Sequence, residues 1–153
     1  MAKIHHFPNY SVVDGDVRLD IKFDRFSEQY NKAQYELDNM VMQSMVKYMP
    51  MQTGTFIQTT RAMSQAIAGT GKVVAAAPPM GRYLYEGKVM VGVNTGSAWA
   101  QLGEKKVVTD RQLRYSTVAH PQAQSHWFEA AKQQFGDQWI AKVKKIAGGD
   151  NNG

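Results

Sequence analysis

The chain has 153 residues, a formal charge of +5 and a pI near 9.4; the length suits one domain around a single core, and 43% hydrophobic content excludes general disorder. It contains no cysteine, which excludes a disulfide framework or a thiolate metal site and fits a reducing cytosol or an assembly built there. No stretch approaches the ~18 apolar residues of a membrane span, MAKIHHFPNY lacks the apolar run of a signal peptide, and the positive charge suits nucleic acid, an anionic surface or an acidic partner without choosing among them.

In VRLDIKF, residues 17–23, Val17, Leu19, Ile21 and Phe23 alternate with polar residues. That period predicts a half-buried strand. Asp14-Gly15-Asp16 reads as a turn, with residues 11–13 as a short partner strand. The period then lengthens. Phe26, Tyr30, Ala33, Leu37, Val41, Ser44 and Tyr48 recur every three or four residues, which predicts one face of a helix of about 25 residues. Asp24 is placed to cap its start, and Pro50 bounds its end. Met40, Met42, Met45, Met49 and Met51 crowd the second half. They read either as gap-filling core or as a second apolar face that packs on a neighbouring subunit.

Thr53-Gly54-Thr55 supplies a turn, followed by a short helix over 55–60. The similar runs flanking Gly69-Thr70-Gly71 read as a β-hairpin, 61–68 with 72–77, although Ala, Met and Gln prefer helix. Residues 88–94 and 104–109 read as strands around the loop NTGSAWAQLG, and 112–119 as one further strand. Phe128, Ala131, Phe135, Trp139, Val143 and Ile146 predict a closing helix over 122–147, stopped at Gly148-Gly149, with a polar, flexible tail over 148–153. The chain is therefore expected to be a single α+β domain with its core over 11–147: a long N-terminal helix and a long C-terminal helix packed on a mainly antiparallel β-sheet.

No catalytic constellation stands out. GTGK lacks the first glycine and the final hydroxyl of a phosphate loop, since Ala66 and Val73 hold those places. His120 and His126 are six residues apart, not the four that put two ligands on one helix face, and His5-His6 lies near the terminus. No serine stands in a nucleophile elbow, and Glu86 and Asp110 form no evident pair. Lys142, Lys144 and Lys145 fall where positive charge complements a helix dipole, or where a phosphate or acidic partner could bind. The expectation is no enzyme, no cofactor and no metal.

The stretch PPMGRYLYEGKV, residues 78–89, joins loop-forming Pro and Gly to bulky Met80, Tyr83, Leu84 and Tyr85. With YMPMQTGTF (48–56) before it and HPQAQSHWFEAAKQQFGDQW (120–139) after it, the order of features over about 17–147 resembles the minor capsid and neck (tail-component) proteins of tailed bacteriophages. Phe56 stands at a usual leucine, and Met80-Gly81-Arg82 stands where the family often has Tyr-Ala-Arg. The resemblance implies a structural virion protein at the head–tail junction, assembled in host cytoplasm. It implies a sixfold or twelvefold homo-oligomeric ring that meets other neck, portal-adaptor or tail proteins, with DNA passing through the lumen without sequence-specific binding, and no membrane. A tail terminator or another minor capsid protein is the alternative. A basic nucleic-acid-binding module is a third class, which would need its Lys and Arg gathered on one groove instead of spread along the chain. Because Tyr and Arg are enriched at interfaces, Arg82 and Tyr85 are expected to meet a neighbour while Tyr83 and Leu84 anchor the loop. The Met42, Met45 and Met49 face is the other interface candidate.

Overall fold

The structure, a computed structural model, describes residues 8–22 and 24–148. His5, His6, Phe23 and the tail beyond Gly148 lie outside the described residues. The fold is α+β, with four helices and two small antiparallel sheets among the described residues. Strands β1 (Tyr10–Asp14) and β2 (Val17–Ile21) form one ribbon, with Val12 opposite Leu19 and Asp14 opposite Val17. Helix α1 (Asp24–Val46) follows, then α2 (Thr55–Ala66) and the short α3 (Gly81–Glu86). Strands β3 (Lys88–Gly92) and β4 (Lys106–Gln112) form the second ribbon, and α4 (Trp127–Gly148) closes the chain.

The two long helices are each other's main partner. Tyr48 donates to Gln134, and the Trp139 indole N–H donates to Ser44 Oγ at 3.0 Å, so α4 runs antiparallel to α1. Between them lie Val41, Met42, Met45, Tyr48 and Met49 from the first helix and its end, and Trp127, Ala131 and Trp139 from the last. Ile57 of α2 completes this cluster. The methionines are therefore core: Met45 and Met49 are 0% exposed. Their unbranched thioethers fill the irregular space left by two tryptophans.

The buried face of α1 is rotated from the predicted stripe in its first half. There Ser27 and Asn31 are buried, whereas Phe26 and Tyr30 are exposed. Continuing the antiparallel pairing residue for residue brings the last turn of α4 level with about Tyr35. The first turns of α1 thus lie beyond the apolar cover that α4 supplies. The β1–β2 ribbon differs too. It was expected to be half-buried, yet Val13 and Val17 are each 68% exposed. Alternation marked the strands correctly, and among the described residues Val13 and Val17 stay largely open to solvent.

The predicted hairpin over 61–77 is absent. Residues 61–66 continue α2, in keeping with the helix preference of Ala, Met and Gln. Residues 72–77 run beside that helix, and their backbone groups are taken by its side chains. Ser64 Oγ accepts from Val74 N and donates to Val74 O, both at 2.9 Å, and Thr60 Oγ1 accepts from Ala77 N at 3.1 Å. The Gly69-Thr70-Gly71 turn is held by the buried carboxylate of Asp38, which accepts from the amides of Gly69 (2.8 Å) and Gly71 (3.1 Å) and from Gln34 Nε2 (2.9 Å). The glycine amides that suggested a phosphate loop are thus occupied by the chain's own anion.

Two further elements differ. The strand predicted over 112–119 does not form: β4 covers Lys106–Gln112, and after the pairing of Gln112 with Lys88 only Leu113 N bonds onward, to Gly87 O at 2.9 Å. Helix α4 starts at Trp127, not near 122, because the amides of Gln124 and His126 go to the carbonyls of Tyr48 and Tyr85, each at 2.9 Å. His126 also has a φ of 50°, outside helical geometry.

Trp127 ties these pieces together. It is 0% exposed, donates its indole N–H to Ala75 O at 2.8 Å, and meets Tyr85 and Phe56 edge-on, at 4.8 and 5.9 Å between ring centroids. Trp127→Ala is expected to cost about 3–5 kcal/mol of stability in denaturant unfolding. Trp127→Phe should cost less, about 1–3 kcal/mol, mainly by leaving the Ala75 carbonyl unpaired. Equal stability of all three proteins would show that this residue organises nothing.

Candidate interaction surfaces

The residues expected at an interface separate into three groups. Met42, Met45 and Met49 are buried in the single chain, so the face they form is not available to a neighbouring subunit. This corrects the second of the two readings of the methionines. Tyr85 also turns inward. Its hydroxyl donates to Glu129, its ring packs on Trp127, and its other edge meets His126 at 5.2 Å. Burial first, then the hydrogen bond and charge of Glu129, push the Tyr85 hydroxyl far above its ordinary pKa, so it stays protonated as the donor. Arg82 alone of that set faces solvent, paired with Glu86 at 3.3 Å one turn along α3.

The Pro-Pro stretch is not wholly loop. Residues 81–86 form one and a half turns of helix, and Leu84 packs against the core as expected. Gly81 is required there: a Cβ would lie 2.5 Å from the carbonyl carbon of Ala76. The close approach of α3 to the 72–77 segment accounts for the glycine at this position.

The two histidines among the described residues have structural partners. His120 Nδ1 lies 2.8 Å from Met49 O, at the end of the long helix. His126 packs on Tyr85. Among the described residues no group of three His, Asp or Glu is placed to hold a metal ion, and no helix is long and apolar enough to cross a membrane.

The most exposed large apolar side chains were not singled out by sequence. Of the three, Val118 at 93% lies in the segment before α4, and the other two sit on the loop between β3 and β4, where Trp99 is 89% and Leu102 107% exposed. Their signal was an isolated tryptophan in a stretch otherwise rich in Gly, Ser, Asn and Thr. The loop is ordered by polar contacts. Glu104 Oε1 accepts from the amides of Asn94 and Thr95, and its Oε2 from Gln101 N, all at 2.8 Å. Gly92 N donates to Ser97 O at 2.8 Å, Trp99 N to Ser97 Oγ at 3.1 Å, and Lys106 Nζ to Ala98 O at 2.7 Å. A Cβ on Gly92 would fall 2.3 Å from the Glu104 carboxylate, so glycine makes room for this anchor.

At the other end of the same ribbon lies a groove of about 470 Å³. Its walls come from Met51 in the turn after α1, Phe56 at the start of α2, the Pro78-Pro79-Met80 segment, and the chain leaving β4 (Leu113, Arg114, Tyr115). Tyr115 is fixed there by donating its hydroxyl to Leu84 O. The fold thus displays a rigid apolar knob at one end of a ribbon and an open apolar groove at its base.

Two outcomes are expected from these contacts. Tyr85→Ala should destabilise the isolated chain by about 2–4 kcal/mol, while Arg82→Ala should change it by less than about 0.5 kcal/mol, both read by denaturant unfolding. A neutral Tyr85→Ala would return that ring to the interface. The second outcome concerns Glu104, whose carboxyl is held below its ordinary 4.5, at about 2, by the amides of Thr95, Gln101 and Asn94. A depressed value means that the loop's stabilisation is present above the ordinary carboxylate range and is lost as pH falls through about 2. In an NMR titration the Thr95 and Gln101 amides should move together with that midpoint, and Glu104→Gln should raise backbone mobility at Trp99 without lowering the core's melting temperature. A Glu104 midpoint near 4.5 would contradict the anchoring.

Comparison with known protein families, with curated proteins and with solved structures finds no match for this chain.

Proposed function

We propose that this chain is a structural virion protein of a tailed phage, a ring-forming neck or tail-completion component at the head–tail junction. The observation that supports the reading best is where the exposed apolar surface lies. The helices and the 72–77 segment bury one core, and both ribbons carry large apolar side chains outside it: Val13, Val17 and Leu19 on the first, Trp99 and Leu102 on the second. Such side chains, on ordered backbone and rimmed by polar residues, are what a protein presents to partners that cover them. The order of motifs along the chain supports the same reading.

The role is structural, without turnover, and needs no cofactor or metal. Its partners are further copies of the chain in a closed ring and the neck, portal-adaptor or tail proteins above and below it. DNA passes through the lumen without sequence readout.

Mass and copy-number measurement of the protein in purified particles tests this. Six or twelve copies located at the neck are expected, and deletion of the gene should yield filled heads beside unattached tails. One or two copies per particle, or complete infectious particles without the protein, would overturn the reading. The same ring docked on the tail side of the junction, capping isolated tails, would favour the tail-terminator role instead.

A further inference from the structure

We propose that Trp99 of one copy docks in the groove at the base of the β3–β4 ribbon of a second copy, so that knob and groove form a repeating head-to-tail contact. The proposal rests on the ring-forming reading above and names the surfaces that would close the ring.

Geometry is the first argument. The groove is walled by Leu113 and Arg114, immediately after β4, and Leu113 N donates to Gly87 O at the ribbon's base. Trp99 sits at the opposite tip, beyond the Gly92–Lys106 pair. The paired length between them is roughly 14–17 Å. A chain cannot fold its own ribbon back along itself, so Trp99 does not reach the groove of its own molecule, and its exposure of 89% agrees. A knob and a groove on different patches of one molecule make a heterologous contact, and identical copies joined that way close into a ring when the rotation permits.

Chemistry is the second argument, and it suits an aromatic occupant, tryptophan above the others. The groove offers proline faces at Pro78 and Pro79, thioethers at Met51 and Met80, and the exposed cation of Arg114. An indole is the best aromatic partner for a guanidinium, and thioethers pack well on aromatic rings. The volume, about 470 Å³, is within the range of cavities that enclose ligands larger than one side chain, so it admits the indole.

Preorganisation is the third argument. The loop that carries Trp99 is held by the Glu104 carboxylate and the Lys106 ammonium rather than by apolar packing. An anchor already held in place loses little conformational freedom on binding. One indole and its surroundings are still less than a standard interface, so a single contact should be weak and the closed ring strong by multivalency.

The absence of cysteine in the sequence gives a clean test in the full-length chain. Ala98→Cys places a thiol beside the indole, and Thr59→Cys places one on the groove wall. A short bismaleimide should convert the double variant into a ladder of dimers, trimers and larger species, while each single variant stops at dimers. Adding Trp99→Ala should cut the yield of the ladder at least about tenfold with the melting temperature unchanged, as loss of an anchor residue does. Met80→Glu, on the groove side, should do the same. No ladder above that of a control pair on a remote face, Ala98→Cys with Gln138→Cys, would overturn the proposal, as would a ladder that survives Trp99→Ala. Loss with Trp99→Ala but not with Met80→Glu would overturn the assignment of the groove. Rings in the particle without this cross-link would sink the contact alone, and the cross-link in a protein missing from the neck would sink the functional reading alone.

Discussion

The structure depends on one buried side chain at a junction. Trp127 begins the last helix, and its indole meets Ala75 O through a hydrogen bond and Phe56 and Tyr85 through ring edges, within the same buried cluster as the methionines. A tryptophan suits this place because it buries a large apolar area and still carries a donor for a carbonyl that has no strand partner. Ala75 lies in a segment with no ladder of its own. Its carbonyl, like the groups of Val74 and Ala77, is satisfied by a side chain. The accounting of backbone polar groups closes only when the helices and the irregular segment are packed together.

That arrangement explains where the exposed surface lies. Two long antiparallel helices with α2 form a complete apolar contact among themselves, and the ribbons have no place in it. A two-stranded ribbon is marginal alone. The second ribbon is therefore steadied at both ends by polar means: by Glu104 and Lys106 at its tip, and by Leu113 N to Gly87 O and Tyr115 to Leu84 O at its base. These bonds spend no apolar side chain, so Trp99 and Leu102 stay outside. Rigidity and exposed apolar surface, usually opposed in a monomer, coexist in this loop because a carboxylate supplies the order.

Several elements were legible in the sequence because they obey local rules. The three-to-four spacing of Ala33, Leu37, Val41 and Tyr48 marked α1, and that of Phe128, Ala131, Phe135 and Trp139 marked α4. Alternation around Asp14-Gly15-Asp16 marked the first ribbon, and the Gly-rich NTGSAWAQLG separated β3 from β4. The α+β class follows from that order alone. Where the reading departed from the structure, local and tertiary signals diverged. Tyr85 has the composition of an interface residue, but Glu129 is forty-four positions away and its pull is not visible in sequence.

What the sequence by itself determined is the two long helices, the first ribbon and β3 with the loop that follows it, because helix and strand periodicity and turn chemistry act over a few neighbours. The tertiary structure alone decided which faces are spent in the core and which remain. Met42, Met45 and Met49 went inward because α4 brings two tryptophans against them, and residues 72–77 failed to become a strand because Ser64 and Thr60 took their backbone groups first. Trp99 stayed outward because its loop is ordered by a carboxylate that asks nothing of the indole. Burial is a property of pairs of elements, and no single stretch of sequence carries it.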